Sequence, residues 1–358
     1  MFLALLGLAA GVWAGLARIG WDLPFQQTSW SAVHGPLMIS GFLGTVISLE
    51  RSVALAKGWG YGAPLLSALG STALIVGFPD PAGPLLIAAS SVMLVAIFGV
   101  FLSRQVEFYL VTMALGALAW LVGNALWVAD WQIPRFIPWW VGFLVLTIVG
   151  ERLELNRLTR PSGAVLATFA LALALFCAGL IASALDLQIG WRIMGIGLLA
   201  LALWLMRFDI ARRTVRRPGL PRFIALGLFA GYLWMVVAAL LALTATAFFG
   251  GLSYDALLHT ILLGFVFSMI FVHAPIIFPA LTGIDVPFTR RFYAHLALLH
   301  LSLIVRVASD LERWWDLRQW GGLLNAIALL LFLVNTGLAV RSARSRASET
   351  RGVRTATT

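Results

Sequence analysis

Hydrophobic residues in this chain come in long runs, not in alternation. From Phe2 onward, stretches of about 20 apolar residues are broken by short polar or Gly/Pro-rich joints. The pattern predicts twelve helical spans, at 2–17, 34–55, 60–78, 83–103, 107–129, 134–153, 162–184, 189–207, 220–247, 254–279, 290–309 and 320–340. Runs of this length select membrane helices; the strands of a membrane barrel would alternate over about 10 residues. Turn residues mark several joints, among them Pro79–Asp80–Pro81 with Gly83, and Pro218–Gly219 with Pro221. Every joint is short, so no soluble domain fits between spans. The expected architecture is all-α: one polytopic membrane domain of about twelve transmembrane helices over 1–340, then a polar tail, 341–358, read as disordered and cytoplasmic.

Composition supports the membrane reading. Of 358 residues, 61% are hydrophobic and 11% charged, against roughly half and a quarter in soluble domains. Lipid must therefore solvate much of the surface, and every backbone polar group must be paired internally. The single cysteine, Cys177, lies in an apolar run and reads as a small buried hydrophobe. It permits no internal disulfide, and the absence of CxxCH removes covalently attached haem. The first run begins at Phe2 without a basic leader, so it reads as a membrane helix and not a secretory signal.

Net charge of +10 would also suit a nucleic-acid binder, but topology accounts for it better. With twelve spans, nineteen of the 25 lysines and arginines fall on the side that holds both termini, and six on the other. That asymmetry places both termini in the cytoplasm, and lipid, not nucleic acid, as the partner.

The five histidines, His34, His259, His273, His295 and His300, all fall in or at the ends of spans. Ionisable groups there are expensive and usually functional, and imidazole is a common metal and haem ligand. His34 opens the second span and His259 lies near the start of the tenth, both at the outer side. His273 follows His259 by 14 residues, about 21 Å deeper and on nearly the same face. His295, on the eleventh span, lies at a depth comparable with His273, and His300 is near mid-membrane. Two levels result: His34 with His259, matched as ligands, and His273 with His295, which suit either ligation or local hydrogen bonding. His300 reads as structural or cavity-lining, and is the remaining candidate metal ligand. Along the His34 face run Met38, Gly41, Thr45 and Ser48, a stripe that suits a flat macrocycle or close helix packing equally.

The segment from Trp30 through His34 to Gly41–Phe42–Leu43 is similar to the WHxHE…GF stretch of the NnrS family, membrane haem proteins linked to nitric oxide stress. Leu258–His259–Thr260 to Gly264 resembles that family's LHALTVG, and His300 to Arg306–Val307–Ala308 resembles its later Arg-Val/Leu-Ala pattern. The broader likeness is to the catalytic-subunit bundle of haem–copper oxidases, where these two histidine positions hold a low-spin haem. The resemblance implies a haem b held by His34 and His259, a bacterial cytoplasmic membrane location and an electron-donor partner. Departures are clear: Gly35 and Pro36 replace the second histidine and acid of HxHE, and the later GHTGR is not kept. Spans six and seven hold no histidine, which leaves copper without its usual ligands and rules out the usual oxidase centre.

Arg306, near the outer end of span eleven with Asp310, suits haem propionates or an interfacial snorkelling role. Glu50–Arg51 and Glu151–Arg152 read as inner-face anchors, Trp139, Trp140, Trp314, Trp315 and Trp320 as an aromatic belt, and Asn124 and Asn325 as helix bridges. Three functions compete: a one-haem protein of nitrogen-oxide metabolism, a two-haem electron relay using His273 and His295 as well, and a cofactor-free transporter. None of the residues identifies a catalytic group.

Overall fold

The structure, a computed structural model, describes the backbone of residues 1–24 and 30–356 and the side chains of 1–24 and 32–344. All of its regular structure is helical among these residues. The principal helices are α1 (Phe2–Arg18), α2, α3 (Gly62–Ile75), α4 (Ala82–Arg104), α5 (Phe108–Val128), α6 (Ile133–Asn156), α7 (Gly163–Leu185) and α8 (Leu187–Phe208). They continue with α9 (Leu220–Thr244), α10, α11 (Phe292–Glu312) and α12 (Trp315–Ala356). Two of them are composite. Helix α2 starts as Trp30–Pro36, widens into a π-helix over Leu37–Gly44 and returns to α over Thr45–Leu55. Helix α10 starts as Leu252–His259, is a π-helix over Thr260–Phe267 and ends as Ser268–Thr282.

Ten helices among the described residues are long and apolar enough to cross a membrane. The other two, α1 and α3, have 17 and 14 residues. Every run of apolar residues seen in the sequence thus forms a helix. At the C-terminus the backbone of α12 is helical past Arg341 to Ala356. Its Arg, Ala and Glu residues favour helix, and no proline interrupts it.

The chain divides into two compact units. One comprises Met1–Ile210 and Val236–Leu258, the other Ala211–Met235 and His259–Thr358.

In the first unit, α1 packs on α2, and α3 to α8 follow as antiparallel neighbours. Ion pairs and hydrogen bonds join them. Arg51 on α2 is held by Glu50 and by Glu151 of α6. The next residue, Arg152, makes a two-pronged bond with Asp209, Nε to Oδ2 at 2.9 Å and Nη2 to Oδ1 at 2.8 Å, with both side chains buried. The Glu-Arg pairs expected to be interfacial anchors are therefore interhelical clasps. Trp140, expected in an aromatic belt, is fully buried and donates to Asn124 Oδ1 at 2.9 Å, so α5 and α6 are bridged as Asn124 suggested. Trp314, Trp315 and Trp320 are exposed.

In the second unit, α11 and α12 form a hairpin closed by Asn325 and Ser302 at 2.6 Å and by Arg318 with Asp310 at 2.6 Å.

Candidate functional site

The first unit holds His34, and the second holds His259, His273, His295, His300 and Arg306. Hydrogen bonds decide which imidazole nitrogen carries the proton, and so which rings have a lone pair suited to a metal.

His34 lies against α1. Its Nδ1 is 2.7 Å from the carbonyl oxygen of Gly11. A carbonyl only accepts, so Nδ1 donates and the lone pair resides on Nε2. This backbone-anchored form is the one metal-ligating histidines use. Close approach depends on a glycine: a Cβ at Gly15 would come within 2.7 Å of the His34 ring.

The stripe below His34 is a packing face. Met38 lies on Gly11 of α1, and a Cβ at Gly41 would meet Ser71 Oγ of α3 at 2.5 Å. Thr45 Oγ1 donates to the Gly41 carbonyl at 2.7 Å, and Ser67 of α3 donates to the Ser40 carbonyl at 2.7 Å. Hydroxyls that claim ladder carbonyls compete with the helix's own N–H groups, which favours the local widening seen over Leu37–Gly44. The indole of Trp120 fits over Gly44, where a Cβ would be 2.5 Å away, and donates to Ser40 Oγ at 3.0 Å.

Helix α10 repeats this plan. Its π segment follows His259 directly, has eight residues like the first, and carries Gly264–Phe265 where the first carries Gly41–Phe42. In each, a hydroxyl residue, Ser268 or Thr45, stands just after the widened turn. An indole again lies on a glycine: a Cβ at Gly264 would be 2.4 Å from Trp234. These are the π-helical segments among the described residues, and each follows a histidine expected to bind haem. Such widened turns are frequent at functional sites.

The deeper histidines differ. Trp234 Nε1 donates to His300 Nδ1 at 3.0 Å. An indole N–H is only a donor, so His300 accepts at Nδ1 and directs its Nε2–H to Ser268 Oγ at 3.5 Å. Ser268 in turn donates to the Gly227 carbonyl at 2.7 Å. This one-way chain ties α9, α10 and α11 together and uses both nitrogens of His300.

His295 is 1% exposed among Phe223, Phe271, Phe292 and Phe332, with ring centroids 5.0–6.4 Å away. The amide nitrogen of Asn335 is 3.2 Å from the Arg291 carbonyl and 3.2 Å from His295 Nδ1. The carbonyl fixes which end of the amide is nitrogen, so His295 accepts at Nδ1 and bears its proton on Nε2. That Nε2 is buried and has no hydrogen-bond partner among the described residues. Neither His295 nor His300 offers a metal a lone pair in this arrangement. His273 differs from both, because its Nδ1 donates to the Met269 carbonyl at 2.8 Å.

Arg306 is 7% exposed, more deeply buried than a snorkelling side chain would be, one turn from the buried Asp310. Among the described residues no cluster of three or more His, Cys, Asp or Glu side chains forms a metal site.

Sequence reading found the histidines but not the π segments, the indoles on them or the tautomers. The repeated Gly-Phe followed by a hydroxyl residue is the one sequence signal that marks the segments.

Together the ten long apolar helices and the intramembrane histidines define a polytopic helical membrane protein. The chain belongs to the DUF8744 family, described as a domain of unknown function, whose model matches residues 1–341. No curated protein and no solved structure matches it.

Proposed function

We propose that the chain is a membrane haem b protein of the NnrS kind. It has about twelve transmembrane helices in an oxidase-like bundle, with one haem held between His34 and His259. It serves nitrosative-stress or respiratory nitrogen-oxide metabolism in the bacterial cytoplasmic membrane, and a haem held by two histidines suits electron transfer there. The observation that carries this reading is the recurrence of one device: a histidine leading into an eight-residue π-helix, on α2 and again on α10. His34 fits the ligand role because the Gly11 carbonyl, bonded to its Nδ1, fixes the ring's orientation.

The twelve-span count rests on α1 and α3 crossing as well. Both run along α2, through Gly7, Gly11 and Gly15 on one side and Ser67 and Ser71 on the other. A span shorter than the hydrocarbon core is accommodated by local thinning of the bilayer and snorkelling of flanking residues.

When bound, haem would supply one-electron chemistry, and His34 and His259 would hold it. The protein groups supply the rest. Gly11 fixes the His34 ring, the π segments set where each histidine stands on its helix, and buried Arg306 offers a guanidinium to carboxylates of the group. The tautomers favour one haem over two, since His295 has its proton on Nε2.

Pyridine haemochrome analysis of protein purified from haem-replete cells tests the reading. One haem b per chain is expected. Two per chain would favour the electron relay instead, and colourless protein would favour a cofactor-free transporter.

A further inference from the structure

We propose that the second unit carries a binding site for the phosphate headgroup of an anionic phospholipid, at the arginine-rich end where α9 and α11 begin. A cavity of about 490 Å³ opens there, lined by Arg222, Leu226, Phe288, Arg290 and Tyr293, with Pro218–Gly219 at its rim. Its polar side chains are all donors. Arg222 and Arg290 are exposed, and neither has an acidic partner among the described residues. Among the described residues the Tyr293 hydroxyl makes no hydrogen bond, and no carboxylate lines the cavity. Two uncommitted guanidiniums and one phenolic O–H around a space without an acid form an anion site by their chemistry.

The surroundings select the anion. The 211–222 stretch contributes Arg212, Arg213, Arg216, Arg217 and Arg222 without an acid. The cavity also stands at the start of two apolar spans, so it sits at the level of lipid headgroups. One turn into α9, about 6 Å deeper, Leu226 is 39% exposed and extends the cavity into an apolar wall. Phosphate above and acyl chain below match the order of side chains along α9. Phe223 packs against Phe288, Phe292 and Tyr293 at centroid distances of 5.2–6.0 Å, which stiffens the floor. The first-turn N–H groups of both helices add positive partial charge, but the side chains define the site. Free phosphate shares the headgroup's charge but would gain nothing from the Leu226 wall.

Native mass spectrometry of the full chain in detergent, with added phosphatidylglycerol or phosphatidylcholine, tests this directly. Retained phosphatidylglycerol adducts are expected, with phosphatidylcholine released. Replacing Arg222 and Arg290 together by Gln should weaken retention roughly ten- to thirty-fold. Arg216→Gln with Arg217→Gln, which removes equal charge beside the cavity, should leave most of it. Should the double variant fail to fold, Tyr293→Phe removes only a hydroxyl and should lower retention about five-fold. Unchanged retention in these variants, equal loss in the Arg216/Arg217 control, equal retention of phosphatidylcholine, or displacement by millimolar inorganic phosphate would overturn the assignment.

Discussion

Four of the five histidines fall into two classes by their hydrogen-bond partners. Gly11 and Met269 carbonyls place protons on Nδ1 of His34 and His273; Asn335 and Trp234 place them on Nε2 of His295 and His300. The sequence located each ring in a span, yet no spacing rule reveals a tautomer, because the deciding atoms come from other helices, 23 to 66 residues away for His34, His295 and His300. His300→Ala should therefore leave haem content intact and cost about 1–3 kcal/mol of stability, as the buried Trp234 N–H loses its acceptor. Thermal unfolding in detergent, followed by tryptophan fluorescence, reads both the loss and any change at the indole. Arg152 and Asp209 give a sharper case. Asp209→Asn should cost about 3–5 kcal/mol, because it removes the counter-charge of a buried guanidinium. A change within a few tenths of a kcal/mol would show that the clasp is incidental.

At the scale of helices, hydropathy was a good guide. The apolar runs set the helices because lipid and backbone pairing leave no other regular structure. What hydropathy could not show is the width of a helix. The π segment of α2 coincides with hydroxyls that claim its carbonyls, and both π segments carry an indole on a glycine; only Gly41–Phe42 and Gly264–Phe265 hint at them in sequence. The small-residue stripe of α2, equally suited by sequence to a macrocycle, is a packing face because α1 and α3 bring glycines and serines to it. Gly264→Ala should displace Trp234 and cost about 1–3 kcal/mol through overpacking. Gly15→Ala should instead act on His34 and lower haem content, with stability less affected, measured as the ratio of Soret to protein absorbance.

Over the whole molecule, charge asymmetry and span count argue together. Both termini are expected in the cytoplasm, and accessibility of single cysteines tests this after Cys177→Ala. A cysteine at Arg217 should react with an impermeant maleimide only from the cytoplasmic side, and one at Asp80 only from the opposite side. The same label reaching both from one side would break the twelve-span topology, and with it the matched depth of His34 and His259. The division into two units was not legible in the sequence, since α9 contributes its first part to one and its last part to the other without any break in its apolar run.

The measurement closest to the central claim is the reduced-minus-oxidised spectrum of purified protein across four variants. His34→Ala and His259→Ala should abolish or grossly alter the haem b bands, while His295→Ala and His300→Ala retain them. Bands that survive loss of both His34 and His259, or that disappear only with His295, would contradict the haem site proposed on α2 and α10.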